Sequence, residues 1–223
     1  MKISQFLFPG AIVLFLSIIS FSACGNDAFG PDSERPYSGD DPALRASISM
    51  EDMEGLIFMR EEEKLARDVY IFLFEMYGIK SFDNISRSEQ VHMNVMLDLL
   101  EKYDIADPAL EENGKFTNDD LQLLYDQLIE QGQESVTAAL KVGAIIEDVD
   151  IRDLDLFIAA TSQQDVIDGY EILNCGSRNH MRAFVRQLDN YDLEYTPQFI
   201  TQDKFDGIID GGHEKCGQLY SLN

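Results

Sequence analysis

The sequence predicts an all-α fold: a four-helix bundle with an extra helix in the connection between the second and third long helices. Between Met50 and Asn190 the apolar residues recur at intervals of three and four, with no strand-like alternation of any length. Glycine, proline and polar clusters divide that region into four long periodic stretches and one short one. The short stretch lies inside the one long connection, so that connection carries structure of its own.

The first helix is expected from Glu51 to Tyr77, with Met59, Ala66, Tyr70, Leu73 and Tyr77 on one side and Gly78 as its stop. The second is expected from Ser86 to Tyr103. The segment "DIADPALEENGKF" follows, with turns marked by Pro108 and Gly114. A short helix from Asn118 to Glu130 aligns Leu121, Leu124, Tyr125 and Leu128 and ends at Gly132. The third long helix spans Ser135 to Ala160 and the fourth Gln163 to Leu188. In "YTPQFITQDKFDGII" a short closing helix begins at Thr201, which makes residues 49–210 the domain and 211–223 a C-terminal tail.

Residues 1–23 have the layout of a secretory signal. One Lys precedes an apolar run from Phe6 to Phe21, which contains Pro9 and Gly10 and is short for a membrane span. Its end, "FSAC", resembles a bacterial lipobox, with Phe21 in place of the usual Leu. That resemblance implies that Cys24 is the lipidated first residue of the mature protein. Residues 24–48, with three prolines and little periodicity, read as a flexible tether. The expected location is therefore extracytoplasmic (periplasm or outer membrane), anchored to a membrane by an N-terminal lipid. Cys175 and Cys216 remain. In an oxidising compartment they form either a disulfide between the fourth helix and the tail or two separate thiols.

The net charge of −24, from 41 acidic against 17 basic residues, excludes a nucleic-acid partner and disfavours an anionic surface. Most of those carboxylates belong to a solvated exterior. A few fall on apolar stripes. Glu63 shares its stripe with Met59, Ala66 and Tyr70; Glu89 and His92 leave one face a turn apart, in step with Ile85, Val95, Met96 and Leu99. Glu147 and Asp150 follow Leu140 and Gly143, and Ser177 and His180 lie between Leu173 and Phe184. Each long helix thus carries polar groups on its inward face.

Singly, these residues have ordinary explanations. Glu63 pairs with Arg67 at i,i+4, Glu89 sits near a helix start, Asp150 caps a break, and each histidine is a hydrogen-bonded core residue. Met93 and Met96 beside His92 are core filler or a soft copper site. Tyr70 and Tyr170 read first as packing and second as hydrogen-bond donors. Jointly, four buried carboxylates repel one another, and an unpaired buried carboxylate costs several kcal/mol, on the order of a protein's spare stability. Two divalent ions remove the difficulty, and carboxylates with imidazoles and no thiolate suit iron or manganese. His213, in the tail, has no comparable setting.

The stretch "EEEKLARDVY" at 61–70, Glu89-x-x-His92, Glu147-x-x-Asp150 and His180 resemble the ferritin-like di-iron carboxylate arrangement. The spacing of Glu63, Ala66, Arg67 and Tyr70 is similar to the first helix of rubrerythrins. From Leu56 to Ile209, "REEEKLARDVY", "RSEQVHM", "ALKVGAIIEDVDIRDL" and "GSRNHMRAFVRQL" resemble a prokaryotic ferritin-like family, domain of unknown function 2202. The resemblance implies a ferritin-like bundle holding two iron ions, with manganese as the alternative. Glu63, Glu89, Glu147 and Asp150 would hold or bridge them, with His92 and His180 each terminal to one. It also implies an oxidoreductase reaction with peroxide or dioxygen. The chain has no Cys-x-x-Cys for a built-in electron carrier, so a catalytic centre needs an external donor. One position departs from the pattern: Ser177 stands where a Glu would precede His180, and Asp150 is the substitute carboxylate. Glu171 points away from the site. The alternative function is a non-catalytic metal-binding or structural interaction module, and the sequence does not set the oligomeric state.

Overall fold

The computed structural model describes residues 48–216. The expected signal segment, Cys24, the tether up to residue 47 and the tail from 217 lie outside the described residues. Six helices follow in order: α1 (Met50–Tyr77), α2 (Lys80–Lys102), α3 (Asp119–Gly132), α4 (Val136–Ala160), α5 (Gln164–Asp189) and α6 (Gln202–Asp210). Among the described residues there is no strand, and no helix is long and apolar enough to cross a membrane.

Side-chain caps set four of the helix starts. Ser49 accepts from the Asp52 N–H, Asn118 from Asp120 and Leu121, Ser135 from Ala138, and Thr201 from Lys204. Gly78 ends α1 in the left-handed conformation (φ 67°), which glycine adopts without strain. The second helix starts at Lys80, ahead of the expected Ser86. Its start has no side-chain cap; the extra turn instead buries Phe82 and Ile85, so packing sets this boundary.

With only Gly78 and Ile79 between them, α1 and α2 pack as a hairpin; α4 and α5 form a second pair, and α2 also packs on α5. The core is divided. One apolar cluster collects Val69, Tyr70, Phe82, Leu140, Phe184 and their neighbours, and the other Leu56, Met59, Met96, Leu99, Leu154 and Leu173. On α1, α2 and α5 the inward polar residues lie between the positions of these two clusters, and on α4 Glu147 and Asp150 lie just before Ile151 and Leu154. Met93 and Met96 are buried, and Met96 belongs to the second cluster.

Charged residues on α1 secure the long connection. Arg60 pairs with Asp107 at 2.7 Å and donates to the Met93 carbonyl. Glu61 accepts the N–H groups of Thr117 and Asn118, and the buried Lys64 ammonium donates to Asp68 and the carbonyls of Glu112 and Lys115. Arg67 donates to Asp68 and Gln90, so the alternative in which Glu63 is its i,i+4 partner does not hold.

The C-terminal segment is fastened to α5. Cys175 and Cys216 are joined in a disulfide with a Cα–Cα distance of 5.6 Å. Beside it Glu214 bridges Arg178 at 2.5 Å and Arg182 at 2.7 Å. Hydrogen bonds from Arg178, opposed by partial burial and reinforced by Arg182, hold the Glu214 carboxyl down at about 2. A lowered folded-state pKa contributes stability above the unfolded value of 4.5 that is lost as pH falls toward about 2. Amide protection of residues 211–216, relative to the unstructured chain at the same pH, is therefore expected to fall over that window, and a Glu214→Gln variant should be weakly protected throughout. Identical pH profiles for the two proteins would contradict this clamp.

Candidate metal centre

The sequence pattern places an inward polar residue on each long helix, and the fold brings these residues to one level. Glu63 comes from α1, Glu89 and His92 from α2, Glu147 and Asp150 from α4, and Ser177 and His180 from α5. All are buried, Glu63, Glu89 and Glu147 each to 2% exposure. They form two groups that share one member. In Glu63, Glu89 and His92 one ligand atom from each lies within 4.8 Å of the others, and the same holds for Glu89, Glu147 and His180.

The atoms divide cleanly between the two groups. Oε2 of Glu89 lies 2.8 Å from Nδ1 of His92, which is 3.2 Å from Oε2 of Glu63. Oε1 of Glu89 lies 2.9 Å from Nδ1 of His180, which is 3.5 Å from Oε2 of Glu147. Both imidazoles thus direct Nδ1 inward, their ring centroids 5.6 Å apart. Two donors each about 2.1 Å from one ion, at a right angle to each other, are about 3 Å apart, which matches this spacing.

Outer contacts orient these side chains. Tyr70 donates to Oε1 of Glu147 at 2.5 Å, leaving Oε2 toward His180; its hydroxyl is thus a positioning donor as well as part of the core. Oγ of Ser88 lies 3.0 Å from Nε2 of His180, which selects Nδ1 as the inward nitrogen. The His92 ring rests on Gly176, where an added Cβ would fall 2.4 Å from Cε1 and Nε2. No residue with a side chain fits there without moving the ring.

Asp150 belongs to neither group. Its Oδ2 is bonded to Oγ of Ser177, so Ser177 holds a neighbouring carboxylate where the resembled pattern would place its own. Oδ1 of Asp150 is buried without a partner. Burial first, then the charges of Glu63 and Glu147, push this carboxyl well above its usual range. Glu171 is exposed, as expected. Tyr170 is buried in the second apolar cluster, and its hydroxyl has no partner.

One buried acid escapes the sequence reading. Glu62 is 4% exposed, both its oxygens lack partners, and burial, Asp153, Asp150 and Glu63 push its carboxyl well above the usual range. As the middle of "EEE" it is one step off the stripe carrying Glu63, so periodicity places it outside. Its charged neighbours Asp150, Arg152 and Asp153 all come from α4, which packs on α1.

The electrostatics of the metal-free site show its charge problem. Burial and the Glu89 and Glu147 charges, against the pull of His92, raise Glu63 to about 7. Glu89 is held at about 2: burial opposes its ionisation, and His180 and His92 together outweigh burial. Burial also opposes a charge on His180, yet Glu89 and Glu147 raise it to about 10. Protons thus balance the buried carboxylates when no ion does.

The residues fit a bound metal ion. Oε1 of Glu63, Oε1 of Glu89, Oδ1 of Asp150 and Nδ1 of His180 are buried without a hydrogen-bond partner. The last two members of one triad, Glu89 Oε1 and His180 Nδ1, come within 2.9 Å without hydrogen-bond geometry. Such convergent, unsatisfied donors are what an ion would satisfy, and hard oxygen with imidazole nitrogen suits first-row divalent metals.

Comparison with known proteins shows the family of the chain. A family model described as an uncharacterized protein domain (DUF2202) matches residues 52–212. An uncharacterized protein of Methanocaldococcus jannaschii, MJ0754, is 51% identical over 169 residues, covering 75% of this chain and 91% of that protein. The crystal structure of that hypothetical protein superposes with a TM-score of 0.75 at 48% identity, over 82% of this chain and 100% of the other. The matched residues contain both ligand groups, and the chain belongs to the DUF2202 family.

Proposed function

We propose that the protein is an extracytoplasmic, lipid-anchored member of the ferritin-like superfamily, a four-helix bundle with a dinuclear iron centre, manganese being the alternative metal. The observation that carries the reading is Glu89, whose two oxygens face two different buried ligand groups. A carboxylate so placed would be shared between two metal positions. Glu63 and His92 would hold one ion and Glu147 and His180 the other, with Asp150, outside both groups, a further buried carboxylate near Glu63. Two iron ions held there would supply two electrons to peroxide or dioxygen.

The chain's own part is to place and protect. Both apolar clusters flank the polar layer, and its carboxylates are buried between them. Tyr70 keeps its proton, because burial and the Glu147 charge raise its pKa, and so remains a donor to Oε1 of Glu147. The Cys175–Cys216 disulfide supports export to an oxidising compartment.

The test is elemental analysis of the domain, residues 49–223, after reconstitution with ferrous iron, followed by peroxide and dioxygen consumption. About two ions per chain, oxidised by either reagent, is the expected result. A folded protein that takes up one ion or none would overturn the dinuclear assignment; two ions with no reaction would leave a metal-binding module.

A further inference from the structure

A cavity of about 620 Å³ opens between α2 and α5, beside the two imidazoles. Its lining includes His92, His180 and Ser88 from the site's outer edge, and Glu214, Lys215 and Cys216 from the fastened C-terminal segment. Three features define what it can hold.

The first is size. Peroxide and dioxygen are about as large as one water, whose share of liquid volume is about 30 Å³. Sites for organic molecules are about 300–1,000 Å³, and this cavity falls within that range. The second is the side of the imidazoles it meets. Nδ1 of each ring faces the carboxylates, Nε2 of His180 is at Ser88, and Cε1 and Nε2 of His92 lie on Gly176. An occupant therefore meets the rings from outside and does not compete for the metal positions. The third is charge. Arg60, Arg67, Arg87, Arg152, Arg178 and Arg182 each pair with a carboxylate. Among the described arginines, Arg186 at the cavity has no such partner, and Lys215 and His213 lie on the same lining. In a chain of net charge −24, Arg186 and Lys215 together at a cavity with Ile85, Val91, Ile172 and Ala183 in its walls form a specific feature.

We infer that this cavity is a binding site for an organic anion with an apolar body, seated against the outer edges of His92 and His180 with its charge toward Arg186 and Lys215. The disulfide and the Glu214 bridges hold the wall that carries Lys215 in place before the ligand arrives. The inference rests on the metal-centre reading only for the purpose of the site, because the walls are present without metal.

The test uses two probes that share an apolar body and differ in charge: 8-anilino-1-naphthalenesulfonate and the neutral N-phenyl-1-naphthylamine. Fluorescence titration of the metal-free and the iron-loaded protein should show one site for the sulfonate with the same Kd in both. The neutral probe should bind about tenfold or more weakly. An Arg186→Glu, Lys215→Glu double variant changes only exposed side chains, and circular dichroism will check that it folds. It should weaken the sulfonate about tenfold and leave the neutral probe unchanged. Absence of sulfonate binding, equal binding of both probes, or insensitivity to charge reversal would each overturn the assignment. Failure to load metal, with the sulfonate still bound, would overturn the metal reading alone.

Discussion

A Glu89→Ala variant is expected to lose both metal ions, whereas Glu63→Ala and Glu147→Ala should each lose one. The asymmetry follows from atom positions: Oε2 of Glu89 faces His92 and Oε1 faces His180, while Glu63 and Glu147 each face one imidazole. Outer-shell changes alone weaken metal sites about 10–100-fold, so removing a shared ligand should weaken both positions by about 100-fold or more. Elemental analysis after dialysis against a weak chelator reads the three variants directly. Equal losses from all three would mean that Glu89 holds no shared place, and the dinuclear assignment would fail with it.

The largest loss of stability outside the metal layer is expected from Asp148→Ala. Asp148 is fully buried on α4, next to Glu147 in sequence but turned away from the site. Its Oδ2 accepts from the Tyr195 hydroxyl at 2.7 Å and from the N–H groups of Gln198 and Phe199, and its Oδ1 accepts from Ile200 at 2.9 Å. One carboxylate therefore organises the chain between α5 and α6. Hydrogen bonds to a charged acceptor contribute about 1.5–3 kcal/mol each, and the backbone donors at 198–200 can regain water while Tyr195 remains buried. A net loss of about 3 kcal/mol follows, which for a chain of this size lowers Tm by about 6–12 °C. Chemical denaturation of the metal-free protein measures it without interference from the ions. A loss under about 1 kcal/mol would show that this segment docks through Phe205 and Ile208 instead.

Asp148 and Glu62 show where local pattern stops being informative. Glu63, Glu89, Glu147 and His180 were legible because a polar residue in step with Met59, Val95, Leu140 or Phe184 conflicts with the stripe that carries it. Such a conflict is visible from three- and four-residue spacing alone. Asp148 and Glu62 sit one position off those stripes, where periodicity predicts solvent. They are buried by a returning loop and by a neighbouring helix that are distant in sequence. The same holds for Arg60 and Lys64, which look like surface charges until the connection at 107–118 closes over them.

By itself the sequence determined the helical class, the order of the elements and the polar position on each long helix, because helical period and capping residues act within a few residues of one another. Tertiary structure decided the rest. It brought five side chains from four helices into two groups that share Glu89 and left Asp150 outside both, tied to Ser177. It made Glu89 the shared member, chose Nδ1 as the inward nitrogen of both imidazoles, and joined Cys175 to Cys216. These outcomes depend on distances between helices of a few ångströms, and nothing in the spacing along one helix encodes the rotation and height of its neighbours.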